Sequence, residues 1–449
     1  MENKPKLPNR RQFISNSVAM GILGSLGTGN LLSSCSTEKK AEYIPPTFPA
    51  TAPDGPVLKA GVIGCGGRGT GAAVNFLNAG PNLQITALAD VFQDRIDRTR
   101  EVIKKSHNVD VPDENCFVGF DAYKRLIDSG VDVVLEASAT HFRPRHFEAA
   151  VQARKHCFIE KPAAVDPVGV RTIIAAGKMA EAAGLTVVTG TQRRHQDDYI
   201  QTFGKIKNGA IGDLISANCY YNRGGAGFFK RQDDWTDMEA MIRNRANWIW
   251  LTGDSVVNLL VHNLDCIHWF FEKFPVRASG FGSQVYRPTG DMYDFFSVDF
   301  VFDDEKRYQG MCRELEGATN NVSDIIFGTE GYTNCQNKIY DYEGNLIWEY
   351  EYPLDKDGKS TNRTAISAYD QEMINFVTAI RTNKPLNQVE QLAYSTISGI
   401  MGRESAYTGK DVTWDEMMKS DLRLGPDKYE WGPVDMKPVP PVPGKPPVA

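Results

Sequence analysis

Short apolar runs alternate with amphipathic stretches from residue 57 onward, the pattern of strands separated by helices. Strands are predicted over 58–63, 83–89, 131–138, 157–159 and 185–189, with helices over 69–79, 121–127, 145–154 and 168–183. A regular βα alternation of this kind predicts an α/β, doubly wound parallel sheet of about five or six strands. Beyond residue 190 the pattern changes. After a helix over 199–208, aromatic and β-branched runs at 214–221, 278–285, 295–302 and 339–342 read as strands. Apolar helices are predicted over 256–271, 371–381 and 391–407. The second half therefore reads as an α+β domain with its own sheet.

The ends do not share this patterning. Arg10 and Arg11 precede Phe13-Ile14 and a weakly apolar run that ends at Leu32-Ser33-Ser34-Cys35. Residues 1–35 read as a twin-arginine signal peptide, and the run is shorter than the ~20 apolar residues of a membrane span. Cys35 sits as the lipidated cysteine of a bacterial lipobox would, while Ser33 and Ser34 would equally serve an ordinary signal peptidase. The expectation is export to the periplasm or a membrane-anchored lipoprotein of a Gram-negative cell. Residues 36–56 form a polar linker and 432–449 a proline-rich tail that can be neither helix nor central strand. Between them lie the domains predicted at 57–190 and 191–431.

Composition narrows the partners. A length of 449 residues suits two domains, and a net charge of −6 without a basic stripe argues against nucleic acid. The seven cysteines after Cys35 are odd in number and lack CxxC spacing, so they read as buried thiols, with no disulfide framework and no metal site.

Chemistry enters at the first strand-to-helix turn, where Gly64-Cys65-Gly66-Gly67-Arg68-Gly69 matches G-x-G-x-x-G between a strand and a helix. Gly64 permits the turn, Gly66 the approach of a pyrophosphate, and Gly69 close helix packing. Asp90 ends the second strand about 20 residues on, where a carboxylate accepts from ribose hydroxyls and repels a 2′-phosphate. The cofactor is therefore NAD in preference to NADP, although Arg68 or Arg95 would offer a 2′-phosphate a cation. Gly67, Arg68, Thr140, His141, Glu160 and Lys161 complete the expected cofactor contacts, since ligands of such sheets sit at the carboxyl ends of strands.

Further motifs follow: Ala139-Thr140 with His146, Glu160-Lys161-Pro162, Gly190-Thr191-Gln192-Arg193-Arg194, Lys207 to Gly212, and Val261-His262-Asn263-Leu264-Asp265. With the glycine turn, these residues resemble the Gfo/Idh/MocA family, named for glucose-fructose oxidoreductase and inositol dehydrogenase. The resemblance spans about residues 57–412. It implies a Rossmann domain followed by a domain with an open, mostly antiparallel sheet, and assembly as dimers or tetramers. By position it makes Lys161 the group that contacts the reacting hydroxyl and His262 the acid/base. Elementary chemistry agrees that an alcohol losing hydride must also lose its hydroxyl proton to a base within reach.

The implied activity is oxidation or reduction of a secondary hydroxyl of a sugar or glycoside, with a tightly bound cofactor. Two alternatives remain open: an NAD-dependent glycosidase acting by transient C3 oxidation and elimination, and a non-catalytic sugar- or partner-binding lipoprotein. Asn258, His262 and Asp265 are expected on one face of a continuous helix, and Arg193, Arg194, Asn258 and Asp265 to contact substrate. Asn258 stands where the family usually has aspartate. His262 as a satisfied core histidine, Arg193 and Arg194 as a solvated hinge, and Trp248 and Trp250 as core aromatics or sugar platforms are further readings of the same residues.

Overall fold

Six parallel strands form the first layer: β1 Leu58–Ile63, β2 Leu83–Asp90, β3 Cys116–Val118, β4 Val133–Glu136, β5 His156–Ile159 and β6 Val187–Thr189, in the order β3-β2-β1-β4-β5-β6. The order reverses beside β1, which pairs with β2 on one side and β4 on the other. This leaves a crevice at the carboxyl ends, where the first glycine turn emerges. The computed structural model describes residues 42–225 and 227–445. The expected signal segment, residues 1–35 with Cys35, lies outside the described residues.

Helix Gly67–Asn78 forms because Gly69, Ala72, Ala73 and Phe76 recur on one face and bury it against the sheet. Its neighbour Gln93–His107 is so charged that the sequence pattern missed it; only Ile96, Thr99 and Ile103 turn inward. Helix Ala368–Arg381, far along the chain, returns to this layer. Met373, Ile374, Phe376 and Val377 enter the same core as Phe76, Ile85 and Leu88.

The second layer is a nine-stranded sheet built from β7 Leu214–Arg223, β8 Arg277–Ser283, β9 Phe295–Val301, β10 Arg307–Glu314, β11 Asn321–Gly328, β12 Tyr332–Thr333, β13 Lys338–Tyr340, β14 Leu346–Glu349 and β15 Val412–Thr413. Their order is β14-β13-β12-β11-β7-β10-β9-β8-β15, antiparallel throughout except where β10 runs parallel to β7. The long helix Val389–Thr408 is buried on almost every side and packs on both β8 and helix Pro167–Ala182. Its Arg403, fully buried, donates to the carbonyls of Val165 and Gly253, one from each half of the chain. Residues from Tyr43 onward form one compact unit.

One expected element divides. The predicted 256–271 helix is interrupted, with Ser255–Asn258 and Val261–Phe271 separated at Leu259-Leu260. The His262 amide turns to the Leu259 carbonyl at 3.4 Å, not to that of Asn258. The Asn258 carbonyl is thereby freed, with consequences for the site. Among the described residues no helix is long and apolar enough to cross a membrane.

The glycine turn gives the sharpest test of this architecture. A Cβ on Gly69 would stand 1.8 Å from the Gly64 carbonyl oxygen, a main-chain atom that cannot yield without moving the turn. Gly69→Ala is expected to lower the unfolding free energy by about 3 kcal/mol, the upper range of overpacking costs, as read from urea denaturation of the nucleotide-free protein. An unchanged midpoint would show that the helix seats differently on β1.

Candidate functional site

A cleft opens over the carboxyl ends of the first sheet, lined by Gly64, Gly66 and Gly67 and by Asp90. Gly66 begins helix Gly67–Asn78 with no side-chain cap and no acidic residue in the first turn. The first-turn amides therefore lack a side-chain partner, and the helix dipole favours an anion there. A Cβ on Gly66 or Gly67 would meet no protein atom within 4 Å and would stand in the space a ligand needs. Gly64, at φ +90°, is in the left-handed region, and its missing Cβ would strike Ser138 N at 2.5 Å.

Asp90 accepts from the amides of Cys65 at 2.7 Å and Phe92 at 3.0 Å, which fixes its carboxylate at the cavity wall. Burial raises its pKa, and Arg95, 3.8 Å away, pulls it back. An uncapped helix start, an open glycine floor and an acceptor at the ribose end fit a dinucleotide. Gly64, Gly66, Gly67, Arg68 and Asp90 all line the cavity. Glu136 and His146, joined at 3.0 Å, stand at the end of β4, where His146 also lines it.

Lys161 follows β5 and precedes a cis Pro162. Its ammonium donates to the Asn258 carbonyl at 2.6 Å, the carbonyl released by the helix break. Burial is the main force lowering the Lys161 pKa to about 7; Glu160 opposes it, while Arg143, Arg245 and Arg223 reinforce it. His262 lies near enough that, after burial, the Lys161 charge is the largest influence pressing its pKa well below 6.5. The ring is stacked at 6.3 Å from that of Tyr221 on β7. The group that changes charge near neutrality is thus Lys161, whereas histidine was expected to do so. His262 stays neutral because its environment is dry and already cationic.

The expected substrate contacts are largely engaged elsewhere. Arg193 donates to Asp324 at 2.6 Å and to the His262 carbonyl at 3.3 Å, and lies over the Tyr199 ring. Arg194 grips Asp265 through two hydrogen bonds, at 2.8 and 3.0 Å, with its guanidinium over Trp269. Two paired charges satisfy each other and leave little for a ligand, so these residues hold the helix that bears His262. Asp265 faces Arg194 and Ser395, away from the role of partner to His262. The Asn258 contact that the structure shows at this site is made by its main chain.

Among the expected cofactor contacts, Glu160 pairs with Arg68, which also binds Glu372 at 2.9 Å and lies over the Tyr369 ring. Arg68 is therefore spoken for and is not free to meet a 2′-phosphate. His141 is half-buried between Trp250 and the Tyr429 hydroxyl, 2.7 Å from its Nε2, and desolvation lowers its pKa to about 3. Thr140 is buried with an unpartnered hydroxyl among the described residues, and of the expected cofactor contacts Gly69, Thr140, His141, Glu160 and Lys161 do not line the cavity. Trp248 and Trp250 are core residues.

Sequence reasoning missed Ile242, Arg245 and Phe120, all of which line the cavity. No periodicity marks them, because they come from a short helix, a single helical turn and a loop. The described cysteines are all free, and six of the seven are buried.

These features define a dinucleotide-binding Rossmann domain joined to an open-sheet domain that carries the second wall of the cleft. Residues 58–191 match the model of an oxidoreductase family with an NAD-binding Rossmann fold, and residues 199–333 match the GFO/IDH/MocA C-terminal domain, together more than half of the chain. The chain belongs to the Gfo/Idh/MocA oxidoreductase family, and NAD is the cofactor of its first domain. It is 26% identical over 216 residues to an inositol 2-dehydrogenase of Acidothermus cellulolyticus, covering 48% of this chain and 54% of that one. A glycosyl hydrolase family 109 protein of Porphyromonas gingivalis is 36% identical over 112 residues, 24% of this chain and 23% of its own length. The chain spans about half the length of the first curated relatives it matches. In fold it resembles scyllo-inositol dehydrogenase of Lactobacillus casei with bound NAD(H) and scyllo-inositol, at TM-score 0.59 and 19% identity, covering 80% of this chain and 99% of that one.

The buried ion pairs make a testable distinction between holding and binding. Removing the Asp324 carboxylate leaves Arg193 charged and unpaired in a dry setting, so Asp324→Ala is expected to cost about 3–5 kcal/mol in chemical denaturation. Replacing both partners together with Met and Leu should recover most of that loss. Near-wild-type stability of the single variant would show that Arg193 finds another partner.

Proposed function

We propose that this protein is an NAD(H)-dependent oxidoreductase acting on a secondary hydroxyl of a sugar, glycoside or related polyol ring. The observation that carries this reading is Lys161, a half-buried lysine at a strand end, whose ammonium meets the Asn258 carbonyl at 2.6 Å and whose pKa is lowered to about 7, beside His262 and the residues of the dinucleotide cleft. Bound NAD supplies the hydride acceptor. Lys161 Nζ, held by the Asn258 carbonyl, takes the hydroxyl proton as the alcohol becomes a carbonyl, and returns it in reduction. His262 remains uncharged and offers a ring nitrogen to the same oxygen, which orients the substrate. Arg193 and Arg194 fix the helix on which His262 rides.

A second reading has its own support. The glycosyl hydrolase family 109 relative, and the absence of a carboxylate at Asn258, favour a glycosidase that begins with the same oxidation, here at C3. The neighbouring C2 proton then becomes acidic, the aglycone leaves by elimination, and water adds before the ketone is reduced again. Both readings need Lys161, and they differ in what is released.

The twin-arginine pattern and Leu32-Ser33-Ser34-Cys35 support export of a lipid-anchored protein that carries its NAD out of the cytoplasm. Free NAD is scarce outside, so the nucleotide must stay bound and be regenerated by a second substrate.

Three measurements test this. With a panel of sugars and glycosides, both keto product and released aglycone are assayed. Lys161→Met should reduce either by about 100-fold or more, and unchanged turnover would remove Lys161 from the chemistry. Oxidation needs unprotonated Lys161, so its rate should rise through about pH 7 and level off above it, while reduction falls over the same range; a flat profile would mean the proton goes elsewhere. Protein recovered from its own membranes should release NAD on denaturation and carry lipid on Cys35. Nucleotide-free soluble protein would overturn both retention and anchoring.

A further inference from the structure

The wall of the cleft opposite the glycine turn comes from the second half of the chain and carries a cation with nothing to balance it. Arg245 lies in a helical turn, Arg245–Asn247, just after helix Asp237–Arg243, and its side chain reaches the cavity that Gly64, Gly66, Gly67 and Asp90 line from below. It remains solvent-accessible there. Among the described residues its guanidinium makes no hydrogen bond or ion pair. Its neighbours are also cations: the charges of Arg95, beside Asp90, and of Lys161 and Arg143 all interact with its own. It thus stands between the ribose end and the reactive end of the cleft. The segment that a dinucleotide places between those two ends is its pyrophosphate.

That wall is held down by the end of the chain. The Met238 amide donates to the Gly432 carbonyl at 3.2 Å, and the Val434 amide to Asp237 at 3.3 Å. Met238, Met241 and Ile242 share a core with Val434, Met436 and Tyr429, and with Phe92 of the first domain. Trp431 rests on Phe92 and Phe120, with ring centroids 5.4 and 4.9 Å apart. Phe120 lines the cavity and Phe92 lies two residues beyond Asp90, so Trp431 packs beside the adenosine end, against Phe120, without itself lining the cavity. Its indole is 43% exposed, which leaves a flat face open to stack on an aromatic ring. Residue 431 lies outside both family models, and Arg245 belongs to the domain that does not carry the glycine turn.

We propose that segment 237–250 and tail 424–436 form a clasp over the dinucleotide, in which Arg245 meets the pyrophosphate opposite the glycine turn and Trp431 covers the adenine. The clasp rests on the NAD-binding reading and makes nucleotide release, not nucleotide entry alone, depend on the second half of the chain. A cation and an aromatic plane acting from above complement an uncapped helix terminus acting from below.

Release of NADH, followed by its fluorescence after mixing the loaded protein with excess NAD, tests the clasp directly. Arg245→Ala should release NADH about tenfold faster or more and lose much of the salt dependence, and Arg245→Lys should restore part of both. Trp431→Ala should also speed release, with salt dependence retained, and Trp431→Phe should restore it. Melting of the nucleotide-free variants at the wild-type temperature excludes a folding defect. Wild-type release from both alanine variants overturns the clasp. A raised KM for the sugar with unchanged NADH release from Arg245→Ala also overturns it, and moves Arg245 to the substrate. Wild-type protein purified without nucleotide overturns retention but leaves these rates, measured with added NADH, to decide the clasp.

Discussion

A lysine ammonium in a dry, cationic pocket must be held by something that adds no opposite charge, or it would be locked in its protonated form. Here that holder is one main-chain carbonyl, Asn258 O, at 2.6 Å from Lys161 Nζ. A carboxylate at that point would raise the lysine pKa; a carbonyl dipole steadies the ammonium and still lets burial lower it to about 7. The carbonyl is available only because the helix breaks at Leu259-Leu260. The same break begins a fresh helix that carries His262, so one interruption in an apolar segment sets both members of the proton-handling pair.

The rest of the second half serves to keep that helix start in place. Asp324 on β11 accepts from Arg193 and from Asn263 Nδ2, the latter at 2.7 Å, while Arg194 and Asp265 form a fork on the next turn. Buried ion pairs are poor sources of net stability, but breaking one is costly, which makes them effective at fixing geometry. Helix Ala368–Arg381 performs the complementary task in the first half, where Glu372 with Glu160 pins Arg68 beside the glycine turn. Each wall of the cleft is thus braced by residues distant in sequence, and the end of the chain returns to brace the wall that bears Arg245.

Much of the first domain is legible in local patterning. Its strands are short apolar runs, its first helix repeats small residues on one face, and the glycine turn has steric requirements that few other sequences meet. Helix Gln93–His107 was missed because only Ile96, Thr99 and Ile103 point inward and the remaining surface is charged. The second sheet was only partly legible, since β12 and β15 have two residues each and owe their existence to partners far along the chain. Spacing also gives no sign that Arg193 pairs with Asp324 and Arg194 with Asp265: it shows which residues share a neighbourhood, and not that they neutralise one another.

Local patterning specifies most strands of the first sheet, the dinucleotide turn and the strand ends that bear Asp90 and Lys161, because each depends on residues within a few positions of one another. Which group titrates near pH 7 follows from the tertiary fold, since it depends on burial and on cations brought from three separate segments, at Arg143, Arg223 and Arg245. The fold also brings the Asn258 carbonyl to Lys161 and Arg245 to the cavity wall. Contacts of this kind span as many as 339 positions, as between Phe92 and Trp431. Electrostatics and desolvation act through space, and a linear pattern carries no record of which distant segments a fold will press together.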